Sequence, residues 1–139
     1  MIRWLVDTDH VSLHERGHEP LRSRLASVPP GVIAVSVVTM EEMIRGRLAL
    51  LARRSEGEAR VRAYAKFMAT VAFFGSISVV PFDVACEQKS RSCGMRLRVG
   101  SQDLRIAATA LVNNLILVTR NRQDFERVPG LAIEDWSEQ

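Results

Sequence analysis

Ile2-Arg3-Trp4-Leu5-Val6-Asp7-Thr8-Asp9 is the stretch on which the fold turns. Its β-branched and aromatic side chains suit a strand buried in a sheet. The apolar run stops abruptly at a carboxylate. In open α/β sheets, ligands sit at the carboxyl ends of the strands, so Asp7 stands where such a fold places chemistry.

Working outward, further apolar runs predict strands over residues 32–36, 77–80 and 115–118, with a last, edge strand over 131–133. Helices are expected over 9–16, 21–26, 39–52 and, after the polar break Ser55-Glu56-Gly57-Glu58, to about Phe74, where Gly75 should end the run. The break itself carries a Ser-x-x-Glu capping pattern. A helix containing Cys86 is interrupted at Gly94, and helices over 102–113 and 121–127 follow. Strands alternating with helices predict an α/β fold: a parallel sheet of about five strands, covered on both faces, in one domain spanning residues 1–139. Val61, Tyr64, Phe67, Met68, Val71 and Phe74 recur at helical spacing and read as core, with a subunit interface as the alternative.

A chain of 139 residues is long enough for one domain with a real core. Its 47% hydrophobic and 25% charged residues are ordinary for a soluble globular protein. No apolar run reaches the length of a membrane span, and the start lacks the apolar core of a signal peptide, so a cytoplasmic protein is expected. Cys86 and Cys93 lie seven residues apart in a helical segment, too far along the axis for a disulfide, so free thiols are expected. The net charge is +3, and of 19 basic residues only Lys66 and Lys89 are lysines. Arginine's planar fork suits phosphate, a weak pointer towards nucleic acid.

Three carboxylates fall at equivalent places, after a strand or in the first turn of a helix: Asp7, Glu42 and Asp103. Each has a plain structural reading. Asp7 caps a helix, Thr39 to Glu42 forms a capping box, and Asp103 sits where a helix dipole favours an acid. Their joint placement at one sheet edge favours function. Carboxylates crowded together repel. A hard divalent cation with oxygen ligands removes that conflict, and such ions serve phosphodiester displacement.

The motifs around these acids carry a resemblance. Leu5-Val6-Asp7-Thr8-Asp9 and Val35-Ser36-Val37-Val38-Thr39-Met40-Glu41-Glu42-Met43-Ile44-Arg45-Gly46 resemble the opening motifs of PIN-domain ribonucleases. Val99-Gly100-Ser101-Gln102-Asp103-Leu104-Arg105-Ile106-Ala107-Ala108 resembles the third-acid motif, and Leu117-Val118-Thr119-Arg120-Asn121-Arg122-Gln123-Asp124-Phe125 the fourth. With Val128-Pro129-Gly130-Leu131 and Glu134-Asp135-Trp136 behind them, the pattern is similar to the VapC toxins of bacterial toxin–antitoxin pairs.

The resemblance implies a three-layer α/β/α fold and Mg²⁺- or Mn²⁺-dependent hydrolysis of RNA phosphodiester bonds. It implies a homodimer restrained by an antitoxin whose carboxyl-terminal segment brings a basic side chain to the acidic pocket. Asp7, Glu42 and Asp103 would be the catalytic, metal-binding acids, and Thr8 and Thr119 the supporting hydroxyls. The sequence departs from the family at the fourth acid, where Asn121 stands; Asp124, three residues on, is the candidate to replace it as a metal ligand.

Rival readings are a catalytically inactive PIN module that binds RNA or a partner, and a haloacid-dehalogenase-type phosphatase opening on Asp7-Thr8-Asp9. The phosphatase needs a hydroxyl where Val11 stands, and a suitably followed lysine that is absent. His10, His14 and His18 lie at helical spacing, but Gly17 interrupts them, so they are expected to be surface residues rather than zinc ligands. Arg45, Arg47, Arg53 and Arg54 follow Glu42, and Arg96, Arg98 and Arg105 surround Asp103. Either these are solvated faces or they hold RNA phosphates.

Overall fold

The computed structural model describes residues 1–53, 56–94 and 99–138. In chain order the elements are β1 (Trp4–Val6), α1 (Thr8–Glu15), α2 (Glu19–Ala26), β2 (Ile33–Ser36), α3 (Val37–Arg53) and α4 (Gly57–Ser76). Then come β3 (Ser78–Val80), α5 (Val84–Gly94), α6 (Ser101–Val112), β4 (Ile116–Val118), α7 (Arg122–Phe125) and β5 (Ile133–Glu134). The sheet runs β3-β2-β1-β4-β5. Every pairing is parallel, with Leu5 opposite Ala34 on one side and Leu117 on the other.

Strand residues alternate between two cores because side chains on a strand alternate faces. Leu5, Ala34 and Leu117 pack with Ile106, Ala107 and Ala110 of α6 and Phe125 of α7. Val6, Val35 and Val118 pack with Val11 and Leu13 of α1, Leu21 of α2, Met43 of α3 and Phe74 of α4. Both faces of the sheet are thus covered, which is why the strands read as continuous apolar runs rather than alternating ones.

From β1 the chain passes to β2 on one side, while β4 lies on the other. The carboxyl end of β1 is therefore the point where strand order reverses, the place where open α/β sheets bind ligands. Asp7 leaves β1 at that point, its N–H donating to Val118 O at 2.9 Å.

Several expectations are corrected. α3 begins at Val37 rather than Thr39, directly after β2, because Ser36 Oγ accepts the Val38 N–H at 3.0 Å and caps the helix. Gly75 does not end α4, which continues through Ser76; a single glycine costs only about 1 kcal/mol in a helix. On α4 the expected core stripe is mostly outside: Val61, Tyr64, Met68 and Val71 are exposed, whereas Ala63, Thr70 and Phe74 face inward. The final strand lies two residues later than expected. Ser55 of the expected capping pattern lies outside the described residues. Cys86 and Cys93 are free thiols, as expected. Among the described residues no helix is long and apolar enough to cross a membrane.

Candidate active site

Asp7 is 5% exposed, and its carboxylate is held by two donors. As the N-cap of α1 it accepts the Thr8 N–H on Oδ1 at 2.7 Å. Its Oδ2 accepts the Thr119 hydroxyl at 2.8 Å. Thr119 is itself fully buried and accepts the Asn121 N–H at 3.0 Å. The helix-capping reading of Asp7 is thus true and does not exclude a second role, because Oδ2 is held by a different element.

Thr8 links Asp7 to Glu42. Its Oγ1 lies 3.1 Å from Thr39 Oγ1 and 3.3 Å from Glu42 Oε1. One hydroxyl has one proton to give. An ionised carboxylate is the stronger acceptor, so Thr8 donates to Glu42 and accepts from Thr39, which is fully buried. Because Ser36 caps α3, the expected capping box from Thr39 to Glu42 does not form, and the Glu42 side chain turns to Thr8 instead.

Asp103, in the first turn of α6, completes the group. Burial, then repulsion from Asp9, pushes Asp7 up to about 7; its bonds to Thr119 and Thr8 work in the other direction, and Asp103 adds to the rise. Glu42 is raised by burial and by Asp103 and Glu41, against the Thr8 hydrogen bond and Arg45. Asp103 is raised by burial and by Asp124 and Asp9. Asp7, Glu42 and Asp103 therefore share one electrostatic pocket, and Arg45 offsets part of the repulsion at Glu42.

Asn121 and Asp124 share a face, as their spacing predicts: Asn121 Nδ2 donates to Asp124 Oδ2 at 3.1 Å. Asp124 is half-buried and its charge acts on Asp103, so it faces the pocket rather than open solvent.

The donor set suits a hard divalent cation: oxygens only, anionic, and mutually repelling without a lysine among them. Among the described residues, no three Asp, Glu, His or Cys side chains form a ready-made cage. A cavity among the described residues lies elsewhere. It measures about 520 Å³ and is lined by Val11, Leu25, Val28, Phe73 and Ile77 among others, with none of the acids in its wall.

The other expected residues divide. Arg47 is committed to Glu15 at 2.6 Å and to Thr70 at 3.0 Å, so it braces α3 against α1 and α4 and is no phosphate ligand. Arg45 pairs with Glu41, whose Oε1 accepts from Gln102 at 3.3 Å, and Gln102 in turn accepts from Arg105 at 2.7 Å. This exposed chain of contacts joins α3 to α6 along the pocket's rim. Arg53 ends α3 and is exposed. Arg54, Arg96 and Arg98 lie outside the described residues.

The histidines are not surface residues: His10 is fully buried, and His14 and His18 are half-buried. Val11, where a phosphatase would need its hydroxyl, is 1% exposed in the core, which removes that reading. Sequence reasoning missed Asp9 as an electrostatic member of the pocket. Its place two residues after Asp7, in the first turn of the same helix, was the available signal.

Comparison with known proteins agrees with this geometry. The pattern described as PIN domain matches residues 5–131. A relative from Shigella flexneri, named tRNA(fMet)-specific endonuclease VapC, is 31% identical over 144 residues, covering 99% of this chain and 100% of its own. A protein of the same name from Salmonella typhimurium is 27% identical, covering 98% and 99%. The crystal structure of DNA-bound VapBC from Salmonella typhimurium overlays with a TM-score of 0.80 at 26% identity, covering 98% of this chain and 99% of that one. VapBC2 from Rickettsia felis, bound to a promoter DNA fragment, gives 0.78 at 22% identity, with coverage of 98% and 99%. With its sheet order, its acidic pocket and a relative matched end to end, the chain belongs to the PIN-domain family, in its VapC branch.

Proposed function

We propose that this protein is a metal-dependent endoribonuclease acting as the toxin of a toxin–antitoxin pair in the cytoplasm. The observation that carries the reading is Asp7 at the strand-order reversal, its pKa raised by burial and then by the neighbouring acids Asp9 and Asp103. Membership of the VapC branch supports it. The relatives named for tRNA(fMet) make an initiator tRNA the first substrate to assay.

In this reading Asp7, Glu42 and Asp103 would hold Mg²⁺ or Mn²⁺, with Asp124, held by the Asn121 amide, adding negative charge near Asp103. The bound ion supplies the charge that activates water and stabilises the departing oxygen. The protein's part is orientation. Thr119 and the Thr8 N–H fix the two oxygens of Asp7, and the Thr8 hydroxyl fixes Glu42. Their bonds favour the ionised carboxylates that a cation needs. Arg45 and Arg105, on the rim, are suited to RNA phosphates flanking the scissile bond.

The same reading assigns two protein partners. One is an antitoxin whose basic side chain enters the acidic pocket, replacing the charge of the ion. The other is a second copy of the chain, for which the exposed Val61, Tyr64, Met68 and Val71 on α4 offer an apolar face.

Purified protein should cleave initiator tRNA in Mg²⁺, stop on chelation and recover with added Mn²⁺. Cleavage that continues in excess chelator would overturn the metal-dependent mechanism. Saturable tRNA binding with no cleavage in either metal would favour the inactive binding module.

A finer expectation concerns the fourth position. Asp124→Asn should raise the Mg²⁺ concentration for half-maximal cleavage on the order of tenfold, as loss of a supporting acid does. Asn121→Asp, which adds a carboxylate at the carboxyl edge of β4, should lower it. An Asp124→Asn protein with an unchanged metal requirement would leave a three-acid site.

A further inference from the structure

His10 is the one histidine with no exposed surface, and both of its ring nitrogens are used. Nε2 lies 3.1 Å from the Trp136 N–H; Asp135 Oδ1 is farther, at 3.4 Å, and already accepts the Ser137 N–H and hydroxyl at 2.8 and 2.6 Å. A backbone N–H can only donate, so Nε2 carries no proton and Nδ1 does. Nδ1 then donates to Asp9 Oδ1 at 2.9 Å. The second oxygen of Asp9 accepts the Arg120 N–H at 3.2 Å. Asp9 therefore spans from α1 to the loop between β4 and α7.

That loop is the one that serves the acidic pocket. Thr119 donates to Asp7, Arg120 donates to Asp9, and the Asn121 N–H returns to Thr119 Oγ1. Three successive residues are thus fastened. Two of the fastenings end on α1 or its cap, and the third is internal to the loop. His10 also anchors the C-terminal segment at Trp136, where His18 Nε2 meets O of the next residue, Ser137, at 2.9 Å.

We propose that His10 is a positioning residue: through Asp9 it holds the β4–α7 loop, and so Thr119 and Asn121, in register with Asp7. The inference rests on the reading of this pocket as the nuclease site, but the hydrogen-bond chain can be tested without it. The ring is a rigid, fully buried spacer with a donor at one end and an acceptor at the other, so its orientation dictates that of Asp9.

Two substitutions separate the two ends. In His10→Asn the amide nitrogen falls near Nδ1 and keeps the bond to Asp9, while the Trp136 contact is lost. In His10→Gln the amide falls near Nε2 and keeps Trp136, while the bond to Asp9 is lost. His10→Asn removes more buried volume than His10→Gln, so a purely structural role makes the asparagine variant the more damaged of the two.

Amide hydrogen exchange and RNA cleavage should be measured together. His10→Gln is expected to speed exchange at the Arg120 amide about tenfold, the scale of one lost hydrogen bond. Its cleavage should fall about tenfold at saturating metal, the lower end of the range for supporting residues. His10→Asn should leave Arg120 protected and cleavage near wild type, and speed exchange at Trp136. Asp9→Ala, which alters a partly exposed side chain, should release the Arg120 amide as His10→Gln does. Equal cleavage by the two His10 variants, or an Arg120 amide undisturbed in both His10→Gln and Asp9→Ala, would overturn the proposal. If wild-type protein shows no metal-dependent cleavage, the nuclease reading fails, and the Arg120 amide still decides whether His10 orders the loop.

Discussion

Asp7→Asn is expected to reduce RNA cleavage on the order of 10²–10³-fold or more, the scale at which losing a key charged group shows in catalysis. The same substitution should stabilise the metal-free protein above neutral pH. Burial and the neighbouring acids hold Asp7 at about 7, whereas an unfolded chain ionises near the ordinary aspartate value of about 3.9. The folded state therefore binds the proton more tightly. Stability is full below about pH 4 and falls as pH rises towards 7, by about 4 kcal/mol at most, since each unit of separation is worth about 1.4 kcal/mol. Asparagine has no charge to desolvate, so its thermal midpoint should be nearly flat across this window and exceed that of wild type at pH 8. Added Mg²⁺ should raise the wild-type midpoint and leave the variant's nearly unchanged. Glu42→Gln and Asp103→Asn, raised by the same kind of burial and repulsion, should follow in cleavage. A wild-type midpoint that climbs between pH 5 and 7 in chelator, or an Asp7→Asn protein with full cleavage, contradicts the assignment.

The second large effect is on stability. Phe125→Ala should cost about 3–5 kcal/mol, the usual range for emptying a buried aromatic site. Phe125 is fully buried beside Leu5, Leu117 and Val128, so the cavity opens against the sheet. The loss is a large share of the roughly 5–15 kcal/mol that holds a domain folded. Phe125 also pins the four-residue α7, whose neighbouring Asp124 faces Asp103. Urea unfolding should show a lower midpoint with an unchanged slope. Cleavage measured well below the new midpoint should resemble that of Asp124→Asn, with a higher demand for metal. An unfolding free energy within about 1 kcal/mol of wild type would mean that the site collapses around the missing ring.

What the sequence alone determined was the arrangement of strands and acids. A strand buried on both faces needs apolar residues at every position, so β1, β2 and β4 were legible from short unbroken runs. Alternation with helices then implied parallel pairing, and parallel pairing implied one edge where Asp7, Glu42 and Asp103 emerge. The face shared by Asn121 and Asp124 followed from helical spacing alone.

What only the tertiary structure decided was the partner of each polar group. Local spacing made Thr39 and Glu42 a capping box, but Ser36 took the cap and freed Glu42 for Thr8. Arg47 and Arg45 are two residues apart on one helix and look equivalent in sequence. The first meets Glu15, from α1, and Thr70, from α4, while the second stays on the pocket's rim. His10 offered a helical spacing with His14 and His18, yet its two bonds reach the adjacent Asp9 and the distant Trp136. The α4 stripe was apolar and periodic, but periodicity gives the face of a helix, not whether another element covers it. Hydrophobic pattern is a property of a segment and can be read along the chain. Hydrogen-bond and ion-pair partners depend on which residues distant in sequence are brought within about 3 Å, and that is decided only when the sheet and its helices have packed.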